Sequence, residues 1–300
     1  MRSSIPGFDM IDAALTPAVE EAGSPRRRGR GLGGVASASL LWLALVVLAC
    51  TFGSLAIHTN PNATDVAAAF APPSARHWLG TDDLGRDELL RVLIGGRVTI
   101  GVGAVAAAVA MLIGSVYGAF CGYYGGWIDA LLMRAVDVFM SVPTLFLLLF
   151  LAAMFHGNIV TLMLVIGVTS WLGPARLVRG EILSLKERPY VEAARSLGAT
   201  DARIIFRHLI PNAFGTIATT TTFMVASAML AETALSYLGI GVRAPTPSWG
   251  SLLSGAQSDI FARAYWLILP PGLAILLTVA ALNFVGDAIR ERNNDVAGVM

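Results

Sequence analysis

The sequence contains few of the residues from which soluble enzymes build reactive sites. Among 300 residues there are two cysteines and four histidines, and only 14% of the side chains are charged. Cys50 and Cys121 lie in or beside apolar runs, so they indicate packing residues and argue against a disulfide framework. The histidines are scattered without the HxxxH or HxH spacing of a metal site. We therefore expect neither a metal site nor a bound cofactor in this chain.

Lysine is nearly absent, and its scarcity excludes a P-loop nucleotide site. The single lysine is Lys186, which stands between Leu185 and Glu187. A P-loop requires Gly-Lys-Ser or Gly-Lys-Thr, because its backbone and its lysine surround the phosphates. Any ATP that this protein uses must therefore be hydrolysed on another polypeptide.

Apolar residues are abundant instead. They make up 55% of the chain and give a mean hydropathy of +0.68, which indicates lipid as the solvent. A helix satisfies its own backbone hydrogen bonds in hydrocarbon, so Pro143, Pro270 and Pro271 are tolerable inside apolar helices. The predicted fold class is an all-α polytopic membrane protein with six transmembrane helices. The predicted spans are residues 35–57, 98–120, 138–155, 159–175, 213–238 and 264–286.

The first span is predicted to be retained rather than cleaved as a signal peptide. Its 23 uncharged residues extend about 34 Å at about 1.5 Å per residue, which is enough to cross a bilayer. Residues 1–34 lack apolar periodicity and are predicted to be a disordered cytoplasmic tail. The other predicted divisions are residues 35–97 (first span and outer segment), 98–290 (the remaining five spans) and 291–300 (cytoplasmic C-terminal tail).

The distribution of arginine predicts the orientation in the membrane. With the N-terminus inside, the inner segments contain 15 of the 21 Lys and Arg residues. Cytoplasmic segments of membrane proteins are enriched in these two residues. Both termini are therefore predicted to be cytoplasmic.

The outer segment before the second span is longer than a turn. Within residues 58–97, Thr81 or Asp82 is predicted to cap an interfacial helix with an apolar leucine face. Gly95 and Gly96 are predicted to end this helix. It would therefore be separate from the second span.

Two further patterns concern packing at the spans. Residues 241–249 predict a rigid turn at the outer interface, in which Trp249 could serve as an aromatic anchor. In the second span, Gly114, Gly118 and Gly122 recur every four residues. This spacing predicts a surface that another helix can approach closely.

The longest inner loop, residues 176–212, also has the densest charge. Pro189 suits the first position of a helix and Gly198 suits a left-handed C-terminal cap, so a helix is predicted over residues 189–197. Helical spacing then predicts two different faces. One face has Tyr190, Ala193, Ala194 and Leu197, and the opposite face has Glu192, Arg195 and Ser196.

A second helix is predicted from an N-cap at Thr200 to about Leu209, with Pro211 ending it. The two helices would form a hairpin below the membrane. Its small face would fit a groove of another protein, with flanking Glu and Arg side chains fixing the orientation. Helix periodicity alone equally allows a basic loop held at anionic headgroups.

This loop resembles the EAA signature of bacterial ABC importer permeases. Glu192-Ala193-Ala194 is followed by Gly198, six residues after the glutamate, and by Ile210-Pro211 at the far end of the loop. In that family the loop supplies a coupling helix that docks in a cleft of a cytoplasmic ATPase. The resemblance implies as ATPase-coupling residues Tyr190, Glu192, Ala193, Ala194, Arg195, Leu197, Gly198 and Pro211.

Other stretches resemble the "C" subunit of the oligopeptide/dipeptide type of these permeases. They are residues 77–87, 122–129, 238–241 with 245–250, and 283–287. The resemblance extends over most of residues 75–290, whereas the first 30 residues and the last ten depart from the pattern. It implies the ABC type I importer permease fold in the bacterial plasma (inner) membrane.

The resemblance also implies which partners the chain needs. The chain, itself not an enzyme, would form a path for dipeptides and oligopeptides together with a second, homologous permease subunit. One or two cytoplasmic ABC ATPase subunits would hold ATP and Mg²⁺, and an extracytoplasmic binding protein would deliver the substrate. Besides these proteins and the lipid bilayer, no nucleic acid partner is expected.

Alternative functions remain open from the sequence. The same architecture also serves nickel, glutathione and other small solutes. A proton-coupled secondary transporter would instead relay charge through acids inside the membrane, and Glu232 in the fifth span is the main candidate. Glu232 is equally compatible with a contact to the partner permease or a place along the pathway. No inverted repeat supports the secondary transporter.

Overall fold

The computed structural model describes residues 33–53, 60, 62–155, 158–258 and 264–297, with the backbone alone in residues 258 and 294–297. All regular elements in these residues are helical, apart from an isolated bridge between Thr81 and Asp87. Nearly all of the predicted N-terminal tail and the end of the first predicted span lie outside the described residues.

Twelve α-helices follow one another in the described part of the chain. They are α1 (Gly34–Leu48), α2 (Glu88–Tyr124), α3 (Gly126–Met140), α4 (Thr144–Met154), α5 (Ile159–Thr169), α6 (Leu172–Leu185), α7 (Pro189–Ser196), α8 (Asp201–Arg203), α9 (Ile210–Asn212), α10 (Phe214–Tyr237), α11 (Trp249–Ser258) and α12 (Leu269–Ala297). π-Helical turns extend α1 over Ala49–Gly53 and join α8 to α9 over Ile204–Leu209.

The predicted six spans are the upper end of the range that the described helices allow. Among the described residues, four helices are long and apolar enough to cross a membrane, and two bent helix pairs raise the number to six when each pair forms one span. The fifth predicted span matches α10 closely. The sixth continues through the helix α12 to Ala297, so it includes most of the predicted C-terminal tail. The predicted class, an all-α multi-pass membrane protein, is confirmed.

The third and fourth predicted spans are each interrupted. α3 and α4 meet at 78° across residues 141–143, and α5 and α6 meet at 45° across residues 170–171. The prediction that Pro143 lies inside one helix is wrong, because this residue is the N-cap of α4. Proline lacks an N–H and disfavours helical conformation in the residue before it, so the chain ends one helix and starts another there.

The helix α2 differs most from its prediction. The carboxylate of Asp87 caps its N-terminus by accepting a hydrogen bond from Leu90 N (3.1 Å), and the helix then continues for 37 residues. The separate interfacial helix capped by Thr81 or Asp82 is therefore wrong. Thr81 is buried and donates to Ala68 O (2.5 Å) instead.

Gly95 and Gly96 allow close packing where the sequence predicts a helix end. A Cβ on Gly96 would lie 2.6 Å from the ring of Trp249, and one on Gly95 would lie 3.3 Å from the backbone N of the same residue. Trp249 is only 1% exposed, its Nε1 donates to Val92 O (2.9 Å), and its backbone N donates to Thr99 Oγ1 (3.1 Å). The suggested role of this tryptophan as an interfacial anchor is thus wrong, because it lies in the core.

The predicted glycine surface of α2 is confirmed, and the helix that it meets is α6. A Cβ on Gly114 would lie 2.7 Å from Pro174 Cβ, and one on Gly122 would lie 2.9 Å from Arg179 O. α2 also contacts α5 and α10, so it is central to the packing. Small residues let two membrane helices pack backbone to backbone, which is the main source of attraction where lipid removes the hydrophobic effect.

We expect Gly118→Ala to destabilise the protein by about 1–3 kcal/mol. Its new methyl group would meet the backbone of Ala175 and Arg179, which cannot rotate away as a side chain could. Gly101→Ala is the matched control, because a Cβ at this position of the same helix meets nothing within 4 Å. Thermal unfolding of the purified protein in detergent measures the difference. Equal midpoints for the two variants would contradict the packing described for α2 and α6.

Candidate functional site

The helix α7 forms where the sequence predicts it. It begins at Pro189, and beyond its end Gly198 adopts a left-handed conformation with φ of 78°. The N–H of Gly198 donates to Arg195 O (2.9 Å), and the N–H of Ala199 donates to Ala194 O (3.1 Å). These two bonds form a Schellman motif, which satisfies the last carbonyls of the helix. Local signals at both ends therefore fix the length of α7.

The second arm of the hairpin continues further than predicted. Thr200 is its N-cap as expected, and its hydroxyl accepts a hydrogen bond from Arg203 N (3.4 Å). The helical course then passes through the π-helical turn and through Pro211 in α9, with only Ala213 before α10. The prediction that Pro211 ends the helix is wrong. The proline lies in the first turn of the helix α9. An N–H group in the first turn has no acceptor within the helix, so a proline at this position costs no hydrogen bond.

A residue that the sequence analysis did not single out anchors α7. Val191 is 0% exposed and lies in one apolar cluster with Ile182, Ile204 and Leu209. Ala194 packs against the same cluster and is half-buried, so it belongs to the attached side of the helix. The other predicted residues of α7 are exposed: Tyr190, Glu192, Ala193 and Arg195.

Apolar side chains project from the hairpin among charged ones. Leu197 is 88% exposed and Phe206 is 57% exposed, and the arginines nearby in the chain are exposed as well. Large apolar side chains that face outward beside charges are typical of surfaces that bind another protein. The exposed residues Glu192, Ala193, Leu197 and Phe206 are therefore candidates for a surface that binds another protein, and we call this set the docking surface.

Tyr123, in the last turn of α2, holds both arms of the hairpin. Its hydroxyl donates to Asp201 Oδ1 (2.7 Å), and the guanidinium of Arg195 lies 5.3 Å from the centroid of its ring. The first contact is a charge-assisted hydrogen bond and the second a cation–π contact. Tyr123 and Asp201 are 78 residues apart, so no local pattern in the sequence could have indicated this link.

The hairpin shares a core with two spans. Its apolar cluster includes residues of α7, of the π-helical turn and of the ends of α2 and α6. Because packed interiors deform little, a displacement of α7 must displace the ends of both spans. The members of this cluster are Ala119, Tyr123, Val178, Ile182, Val191, Ile204, Ile205, Leu209 and Ala213.

Several basic residues near the loop have acidic partners within the chain. Arg179 binds Asp129 through two contacts of 2.5 Å each, and the carboxylate is buried. Arg176 on α6 also pairs with Asp137 on α3, through a single contact between two exposed side chains. These arginines hold the bent pairs together at this end of the spans. Because these two arginines have partners within the chain, they are less available to bind lipid headgroups, which was the alternative interpretation of the basic loop.

Glu232, the remaining predicted residue, lies far from the hairpin, near the opposite end of α10. It is 0% exposed, and its Oε1 accepts a hydrogen bond from the hydroxyl of Ser236 (2.6 Å). Its carboxyl group therefore faces neither the surface of the chain nor the hairpin. Among the residues with described positions, no cluster of His, Cys, Asp and Glu is suited to a metal ion.

Comparison with known proteins identifies a family whose match includes the hairpin. Residues 114–294, which include the whole hairpin, match the family described as "Binding-protein-dependent transport system inner membrane component". The oligopeptide transport system permease protein OppC of Bacillus subtilis is 37% identical over 257 residues, which is 86% of this chain and 84% of the relative. The dipeptide transport system permease protein DppC of the same organism is 40% identical over 220 residues, or 73% and 69%. The glutathione transport system permease protein GsiD of Pectobacterium atrosepticum is 36% identical over 255 residues, or 85% and 84%.

Proposed function

Because the chain belongs to the family of inner membrane components of binding-protein-dependent transport systems, we propose that it is one of two homologous permease subunits of an ABC importer for dipeptides and oligopeptides. A component of this family is a transport permease and not an enzyme. It works with an ATPase on separate subunits and with a binding protein. The second permease subunit, which completes the path, is part of the proposal.

The docking surface of the hairpin carries the proposal. Glu192, Ala193 and Leu197 are exposed on α7, whereas Val191 joins the same helix to the core of α2 and α6. A partner that binds the exposed side can therefore move two spans through the buried side. This is what an ATPase must do to drive alternating access in a permease without its own nucleotide site.

The orientation follows from the same assignment. ATP is available in the cytoplasm, so the end with the hairpin faces the cytoplasm and the end with α11 faces outward. The excess of arginine in the segments at the hairpin end supports this orientation. Both chain termini are then cytoplasmic.

Peptide is the proposed substrate class because several relatives that align over most of the chain are named for oligopeptides or dipeptides. The relative named for glutathione is consistent with this class, since glutathione is itself a small peptide. Nickel remains the chemically distinct alternative. Among the described residues, the absence of a clustered set of metal ligands gives no reason to prefer it.

The test is uptake by a reconstituted complex of this chain, its permease partner, its ATPase subunits and its binding protein in liposomes. We expect accumulation of labelled dipeptides and tripeptides that requires the binding protein and ATP. A hydrolysis-deficient ATPase should abolish uptake, and a protonophore should leave it unchanged. Uptake that persists with the inactive ATPase would overturn the ABC importer assignment. Uptake of nickel and of no peptide would overturn the substrate class alone.

A further inference from the structure

The chain folds back on itself after α10, at the end opposite the hairpin. Gly239 adopts a left-handed conformation with φ of 78°, and the N–H groups of Ile240 and Gly241 both donate to Leu235 O (3.0 Å each). A Cβ on Gly250 would lie 2.8 Å from Thr233 Cα. Residues 239–250, which we call the return loop, therefore lie directly against the last turns of α10.

A chain of hydrogen bonds connects Glu232 to the return loop. The hydroxyl of Ser236 donates to Glu232 Oε1 (2.6 Å) and accepts from Val242 N (3.0 Å). Both side chains are buried, at 0% and 2% exposure. Buried hydrogen bonds of this kind cost more to break than exposed ones, because water cannot replace them.

The segment that this chain of bonds holds forms one wall of a cleft. The cleft has a volume of about 430 Å³ and lies between residues 158–162, at the start of α5, and residues 241–246 of the return loop. Val242 thus both donates its backbone N–H to the hydroxyl of Ser236 and lines the cleft. The contact with Ser236 therefore helps to hold this wall, together with the bonds from Ile240 and Gly241 to Leu235 O.

Among the described residues, the polar groups that interact with the carboxyl group of Glu232 are hydroxyl groups. Thr99 on α2 and Ser248 in the return loop interact with it in addition to Ser236, and among the described residues no basic side chain does so. Within the part of the chain that the structure describes, the Oε2 atom of Glu232 has no partner at hydrogen-bonding distance. Thr99 also accepts the hydrogen bond from the backbone of Trp249. The carboxyl group therefore lies where α10, α2 and the return loop meet.

We propose that Glu232 is a positioning residue that fixes the return loop against α10 and α2, and so sets the width of this cleft at the extracytoplasmic mouth of the transport path. The placement outside the membrane and the link to transport rest on the proposed function. Glu232 acts through hydrogen bonding to Ser236, and it needs no charge for this task. An outward-opening movement of the return loop would have to break the bond between Ser236 and Val242.

The experiment measures the width of the cleft in the assembled complex. Spin labels on V160C and A244C, two exposed positions on opposite sides, report the distance by double electron–electron resonance. The native Cys50 and Cys121 are both buried, so labelling is selective. We expect a broader distribution at longer distances for Ser236→Ala and for Glu232→Ala. Glu232→Gln should retain the narrow distribution, because its amide oxygen still accepts from Ser236.

Uptake, assembly and basal ATPase activity complete the test. We expect Ser236→Ala to lower uptake about tenfold while assembly and basal ATPase activity persist, and Glu232→Gln to restore uptake. Thr233→Val is the control, because this hydroxyl lies in the same turn and has no hydrogen-bond partner, so the distance and uptake should both stay unchanged. An unchanged distance in an assembled Ser236→Ala complex overturns the proposal. Loss of uptake in Glu232→Gln with an unchanged distance would also overturn it, in favour of a charged or proton-carrying role. The distance needs no substrate, so the distance outcomes are independent of the proposed substrate class, whereas the uptake outcomes depend on it.

Discussion

Glu192→Lys is expected to abolish ATP-driven uptake while the protein still inserts and folds. Glu192 is exposed in the first turn of α7, at the docking surface. Reversal of a charge at an interface removes its hydrogen bonds and adds repulsion, which together correspond to a loss of affinity of about 100-fold or more. The folding cost is small, since a base near a helix N-terminus destabilises the helix by only about 0.5 kcal/mol.

Glu187→Lys is the matched control for this variant. Glu187 is also exposed and lies in the same loop, but it precedes α7 and so stands outside the docking surface. Co-purification of the ATPase and peptide uptake in liposomes should both fail for Glu192→Lys and persist for Glu187→Lys. Normal ATPase association and uptake with lysine at position 192 would contradict the proposal that α7 couples the ATPase to the spans.

Val191→Asp is expected to detach α7 from the spans. Val191 is 0% exposed, and its cluster neighbours Ile182, Ile204 and Leu209 are aliphatic. An aspartate at this position must either bury a carboxylate without a partner or pull the helix out into water. Either outcome costs about 3 kcal/mol or more. A lower unfolding midpoint and rapid proteolysis within residues 186–200 should follow.

Leu197→Asp is the matched control for Val191→Asp. It also introduces an aspartate at α7, but at an exposed position instead of a buried one. Leu197 is 88% exposed, so aspartate at this position stays in water and the free energy of unfolding should change by less than about 0.5 kcal/mol. Its effect should instead appear in ATPase association. Equal midpoints for the two aspartate variants would contradict the attachment of α7 through Val191.

The sequence predicted those parts of the protein that depend on local signals. The length of an apolar run predicts a span, because every helix that crosses the lipid must reach the same minimum length. The helix α10 is the clearest case. The bounds of α7 were equally accessible, since proline and glycine restrict the backbone through their own covalent structure. The fold class and the limits of α7 follow from such signals.

Features that depend on distant residues could not be predicted in the same way. Gly95 and Gly96 resemble a helix end until Trp249, more than 150 residues later in the chain, is known to pack against them. Val191 and Tyr190 are adjacent, and periodicity over eight residues does not determine which of them faces inward. The role of Glu232 depends on a return loop whose path the sequence alone leaves open.

The length of α2 has a mechanical consequence. Its 37 residues extend about 55 Å, whereas the hydrocarbon layer is about 30 Å thick, so the helix protrudes well beyond the layer. One end is tied to the hairpin through Tyr123, and the other end packs under Trp249. A tilt of about 10° around the midpoint would move the two ends by about 5 Å in opposite directions. α2 can therefore act as a rigid lever with its fulcrum in the membrane, so that a push at the hairpin end would reach the opposite end in a single step.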